Sequence, residues 1–240
     1  MDRNLPDIHE IWVYLSGSPL LALILTLAAY QVGIVLYERL GRHPLANPVA
    51  IAVLLVAGAI TAIDMPYAKY FEGAQFVHFL LGTATVALAV PIHRGLKELR
   101  GRIVPLFAAL LAGGTTSIVT AVGIARLLRA DEAIVGGFYA KSVTAPIAMG
   151  VAERIHASPT LTAVFAITTG ILGAVLGRYV LNAVGSKEWW QRGFALGIAA
   201  HGIGTARAFS VNPEAGRFAS LAMGLHGILG AVLIPLLVRH

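Results

Sequence analysis

Apolar runs long enough to cross a bilayer recur along this chain at intervals of roughly 20 to 25 residues, the length a helix needs to traverse a hydrocarbon core about 30 Å thick. Short charged or Gly/Pro-containing loops close them, as Glu38-Arg39-Leu40-Gly41-Arg42 closes the run over residues 20–36. Such a rhythm suits a bundle of transmembrane helices, whereas a transmembrane β-barrel needs shorter, alternating segments. Composition agrees, because 57% of the 240 residues are hydrophobic and only 12% are charged, against about a quarter charged in a soluble domain. The sequence therefore specifies an all-α polytopic membrane protein with about eight hydrophobic segments.

Three segments carry polar residues that a lipid-facing helix has no use for. The first, residues 67–90, opens on the interfacial mixture Tyr67, Lys69, Tyr70 and Glu72. Gly82, Thr83, Ala84 and Thr85 then interrupt it, which predicts a broken or re-entrant helix. The second, residues 133–155, holds Lys141, Ser142 and Thr144 ahead of Pro146, a residue that removes a backbone donor, so a second discontinuity is expected there. Lys141 either lines a site or snorkels to an interface. In the third, an apolar lead-in over residues 194–200 meets His201, Gly202, Gly204, Thr205 and Arg207. Ionisable groups at membrane depth face a bundle interior or a cavity, and irregular backbone survives there only where protein or water satisfies it. Arg207 either meets a ligand or turns to a loop.

The other segments read as scaffold. The run Gly113-Gly114-Thr115-Thr116-Ser117 and the glycines Gly170, Gly173 and Gly177 suit close helix packing, within the protomer or in a homodimer. Trp189, Trp190 and Arg192 form an interfacial belt. His226, alone in the closing apolar segment, reads as a core histidine and only a minor site candidate. The triplets Gly82-Thr83-Ala84 and Gly204-Thr205-Ala206 lie about half the chain apart. They predict two repeats, residues 17–128 and 133–239, within a single domain over residues 1–240. Breaks at corresponding positions of two halves point to a transporter's binding site. The loop over residues 92–102 is the most basic, which assigns it to the cytoplasm by the positive-inside rule.

Other chemistries lack their parts. The formal charge of +6 is spread through short loops rather than a basic domain, so no nucleic-acid partner is expected. The eight histidines are scattered, cysteine is absent, and neither a metal site nor a cofactor is expected. A Gly-x-Gly without a third glycine is no dinucleotide fingerprint, and no Walker lysine or Gly-x-Ser-x-Gly is present, which argues against an enzyme. The first sixteen residues lack the basic and small-residue pattern of a cleaved signal.

Four blocks carry a resemblance that extends over nearly the whole chain after Pro19. They are residues 80–91, residues 141–149, His201-Gly202-Ile203-Gly204-Thr205-Ala206-Arg207-Ala208 and Ser220-Leu221-Ala222-Met223-Gly224-Leu225. In these the chain resembles the LrgB/CidB family of bacterial inner-membrane proteins, described as antiholin-like or murein-hydrolase export regulators, to which the plastid glycolate/glycerate translocator is related. The resemblance implies transport of glycolate, glycerate, pyruvate or lactate, an elevator-type secondary transporter, and a small LrgA/CidA-like membrane subunit as partner. The chain departs from the family pattern at Thr83 and Ala140, where proline is expected, at Ala145, where threonine is expected, and at His226, where asparagine is expected.

The expected function is thus a secondary transporter of small monocarboxylates. Backbone N–H groups near Thr83 to Thr85 and Thr205 would meet the carboxylate at half-helix N-termini. Hydroxyls of Thr85, Ser142, Thr144 and Thr205 would bind the rest of the substrate, and Arg207 or Lys141 would neutralise it. His201, whose ordinary pKa of about 6.5 lies in the working range, is the expected proton-coupling group. The competing reading is a holin- or antiholin-like assembly that modulates murein hydrolase export and lysis, which would need no convergent polar site; a channel is the third.

Overall fold

The helix starts at Pro48, Pro159 and Pro213 use one chemistry: a proline in the first turn, where its missing N–H costs nothing, preceded by a side chain that accepts from the next free amides. Asn47 Oδ1 accepts from the amides of Val49 and Ala50 at 3.0 and 3.1 Å, Ser158 Oγ from Leu161, and Asn212 Oδ1 from Glu214 and Ala215. The computed structural model describes residues 19–87, 90, 93 and 101–238. Its described residues form α1 (Pro19–Arg39), a 3-10 turn (Pro44–Ala46), α2 (Pro48–Ala62), α3 (Tyr67–Ala87), α4 (Ile103–Leu127), α5 (Glu132–Phe138), α6 (Ala145–Arg154), α7 (Pro159–Ala183), α8 (Trp189–Val211) and α9 (Pro213–Leu237). No strand occurs among them. Helices α1, α4, α7 and α9 are long and apolar enough to cross a membrane; the other expected segments fold as shorter, more polar or interrupted helices.

Two compact units divide within α3, at Thr83. In the first, Gly33 lets α1 approach the chain at Pro48, since a Cβ there would stand 2.6 Å from the Pro48 carbonyl oxygen. The Thr26 and Tyr70 hydroxyls, 2.7 Å apart, tie α1 to α3. Residues 82–85 lie inside the helix Tyr67–Ala87, so the expected interruption is absent. The physical reason is local: the Thr83 hydroxyl donates to the Leu80 carbonyl at 2.8 Å, a bond that keeps a threonine satisfied within a helix. The side chains of Ala84 and Thr85 lie outside the described residues.

In the second unit the glycines record how the helices run. Cβ atoms on Gly193 and Gly197 would strike the carbonyls of Ala215 and Ala219, so the first part of α8 runs parallel to α9. On α7, Gly173 meets Ala200 and Gly177 meets Leu196, which is an antiparallel register. Helix α4 runs with α9 and the first part of α8: the Arg102 guanidinium lies 5.0 Å from the Trp190 ring and 5.8 Å from Phe218, while further on Gly113 meets Ile198 and Gly114 meets His226.

Helix α8 is a hairpin. At His201 the backbone takes φ 39° and ψ −128°, outside helical values. A Cβ on Gly204 would stand 2.8 Å from the Leu196 carbonyl oxygen, although eight residues of continuous helix separate atoms by about 12 Å. The second arm returns antiparallel to α9, with Phe209 against Gly216 and the Thr205 hydroxyl donating to Met223 Sδ at 3.8 Å. Each arm is roughly 15 to 18 Å long, half the thickness a spanning helix covers.

Helices α5 and α6 form a second hairpin around the non-helical residues 139–144. Gly136 meets Ala157, and Phe138 stacks on Phe165 of α7 at 4.2 Å, so the chain leaves and regains the same end of the unit. That end is where α4 finishes, whereas the α8 hairpin starts and finishes where α4 begins. The two hairpins enter from opposite ends.

Close approach at Gly197 sets the seat of the α8 hairpin. Gly197→Val should destabilise the detergent-solubilised protein by roughly 1 to 3 kcal/mol or more. Gly123 and Gly150, helical with nothing within 4 Å of an added Cβ, should accept alanine with a gain of about 0.5 to 1 kcal/mol. Thermal unfolding of the three variants checks the contrast.

Candidate functional site

The two hairpin tips converge near the middle of α4 and α7. In the first tip, the Lys141 ammonium donates to Ser117 Oγ on α4 at 2.8 Å and to Ser142 Oγ at 3.1 Å, and the two serine oxygens are 2.6 Å apart. Lys141 is partly buried, and among the described residues no carboxylate pairs with it. Thr144, the N-cap of α6, is buried with its hydroxyl unpartnered, so the positive end of that helix opens onto the tip.

The second tip belongs to His201. Its Nε2 lies 2.8 Å from the Ala166 carbonyl of α7. A carbonyl only accepts, so Nε2 carries a proton and Nδ1 is the basic nitrogen. Gly170 provides the space, because a Cβ there would come within 2.7 Å of the imidazole. Ala166 also belongs to one apolar cluster with Ala140 and Val143 of the first tip. His226, against Gly114, lies within electrostatic reach of His201 and Lys141. A mainly apolar cavity of about 750 Å3 is lined by Lys141, Ser142, Ser117 and Thr169 together with Phe194, Ile198 and Ala199, a size typical of small-molecule sites.

Lys141, Ser142, Thr144 and His201 thus come to one level of the unit, with Gly202 and Thr205 following His201 in the returning arm beside Met223. Gly204 has a packing role, against Leu196 and Ala200. Thr83 is exposed. Arg207 lies away from the tip, in a cavity with Arg178, Lys187 and Arg192 at the base of the hairpin. Six residues of helix past the tip carry it about 9 Å back toward the surface. The site residue that sequence reasoning missed is Ser117, which reads as part of a small-residue packing patch. The polar end of that patch, a serine facing a lysine-bearing break, was the available signal. Among the described residues no group of three His, Asp or Glu side chains could hold a metal ion.

Among the described residues, four helices long and apolar enough to cross a membrane, together with the family match, define a multi-pass α-helical membrane protein. The chain belongs to the LrgB-like family, whose model matches residues 26–240. Among its relatives, the Holin-like protein CidB of Staphylococcus epidermidis is 28% identical over 91% of this chain and 95% of its own length. An uncharacterised protein, YwbG of Bacillus subtilis, is 31% identical over 91% of this chain and 97% of its own. The Holin-like protein CidB of Staphylococcus aureus is 26% identical over 91% and 95%. No solved structure matches the chain.

A non-glycine residue at positive φ stores strain of about 1 to 3 kcal/mol. His201→Gly should therefore be more stable than His201→Ala by about 1 kcal/mol, the reverse of the order in a regular helix. Comparative unfolding of the two variants reads the sign directly, and alanine as the more stable of the pair would place the break elsewhere.

Proposed function

We propose that this protein is a secondary transporter of a small monocarboxylate, of the glycolate, glycerate, pyruvate or lactate class, with its site between the two hairpin tips. The observation that carries this reading is the Lys141 ammonium, held by two serine hydroxyls with no carboxylate partner among the described residues. A cation withdrawn from water requires a counter-charge, and a substrate carboxylate provides one. The unpartnered Thr144 hydroxyl and the first amides of α6 and of the returning arm of α8 supply donors for its oxygens. His201, with a basic Nδ1, is the coupling group, so that proton and anion bind together and each raises the other's affinity by the same factor.

The arrangement of hairpins supports this reading. A spanning helix followed by a half-depth hairpin occurs twice, as α4 with α5–α6 and α7 with α8, in opposite senses. Inverted repeats of this kind suit alternating access, and an elevator-type movement of the tips past a fixed frame fits it. This pairing differs from a division into residues 17–128 and 133–239. The protein acts in the bacterial inner membrane, as a dimer or beside a small LrgA/CidA-like subunit.

The names of the staphylococcal relatives, holin-like proteins, favour a second reading, a holin-like membrane assembly. The two part experimentally. In liposomes, a carrier takes up labelled lactate or glycolate saturably and retains an enclosed dye, whereas a holin-like assembly releases the dye.

Lys141→Met should weaken binding of the transported acid by about 100-fold, the worth of a charge-assisted contact in a partly buried site. Lys141→Arg should recover part of it. His201→Gln should permit exchange of substrate but abolish accumulation driven by a pH gradient. Uptake and counterflow assays in proteoliposomes measure all three. Unaltered affinity in Lys141→Met would remove the central support for transport through this site.

A further inference from the structure

The hairpin fold of α8 has a second consequence at its base. Arg192 near the start of the first arm and Arg207 near the end of the second would stand about 22 Å apart in a continuous helix. Here both line one cavity of about 370 Å3, together with Arg178 of α7, Lys187 of the connecting loop, Asn182 and Trp189. Among the described residues, four cationic side chains therefore line one concavity and no acidic one does, although Glu188 and Glu214 belong to the same end of the unit. Like charges held together repel one another, and a cavity of one sign concentrates counter-ions of the other. Arg192 is fixed in place: its guanidinium donates to the Ser186 carbonyl at 2.6 Å and lies 5.7 Å from the Trp189 ring.

We propose that this cavity binds a phosphate-bearing anion, supplied by an anionic phospholipid headgroup or by free phosphate. Several guanidinium groups around one pocket match the geometry of phosphate oxygens better than that of a single small carboxylate. Trp189 marks the depth at which headgroups lie, and basic pockets between transmembrane helices are a recurrent setting for lipid phosphate. A phosphate here binds the end of α7 to both arms of the α8 hairpin at once, and so steadies the hairpin that carries His201. The site stands apart from Lys141 and is independent of whether the protein transports a monocarboxylate.

The test uses the full chain in neutral detergent, followed by thermal unfolding and tryptophan fluorescence. Probes are inorganic phosphate at constant ionic strength against chloride, and short-chain phosphatidylglycerol against phosphatidylcholine. Stabilisation by phosphate identifies the free anion as a sufficient ligand; stabilisation by phosphatidylglycerol alone identifies the headgroup. In either case Arg178→Gln combined with Lys187→Gln, both at exposed positions, should weaken binding by about tenfold or more, while Lys141→Met should bind the probe as the unmodified protein does. The proposal is overturned if neither probe stabilises the protein, if phosphatidylcholine does so equally, or if the double variant binds unchanged.

Discussion

A backbone that leaves the helix halfway across a bilayer exposes amides and carbonyls that lipid cannot satisfy. The second unit has two such places, residues 139–144 and His201. Its architecture follows from bringing them to the same level. Each break lets the chain turn back, so that a segment as long as a span becomes two half-length arms. The spanning helices then help to satisfy the tips: Ser117 of α4, with Ser142, accepts from the Lys141 ammonium, and the Ala166 carbonyl of α7 accepts from His201 Nε2. Among the described residues the ammonium has no carboxylate counter-ion and the buried Thr144 hydroxyl no partner, a pair that a small anion would complete.

Glycine makes the convergence possible by position more than by conformation. Gly193 and Gly197 seat the first arm of α8 on the backbone of α9, Gly173 and Gly177 admit α7, and Gly170 clears a space the size of the His201 ring. The unusual backbone angle falls on His201 itself rather than on Gly202 or Gly204. Within α8 the strain therefore falls on the residue whose side chain reaches the Ala166 carbonyl at the tip.

Much of this was legible in the sequence, and the failures have physical causes. Lys141 ahead of Pro146, and His201 among glycines, announced two breaks because charged groups and lost donors are intolerable in a lipid-facing helix. Gly82 to Thr85 looked similar but contains no charge, and a threonine can satisfy itself within a helix as Thr83 does. The return of each arm was not legible, since two short helical arms, of seven and ten residues in α5 and α6, have the same overall length as one span. That ambiguity also misplaced Arg207: if α8 crossed the membrane, Arg207 and Arg192 would lie near opposite faces, whereas the hairpin sets them in one cavity. Ser117 was hidden because a serine beside glycines and threonines reads as packing until its partner is known.

The central claim is that α5–α6 and α8 are re-entrant from opposite faces. The chain contains no cysteine, so single cysteines can be labelled with a membrane-impermeant maleimide in vesicles of known orientation. Lys187→Cys and Val211→Cys, at the two ends of α8, should react from the same face, and Glu132→Cys from the opposite one. Reaction of Lys187→Cys and Val211→Cys from opposite faces would make α8 a continuous span and contradict the account.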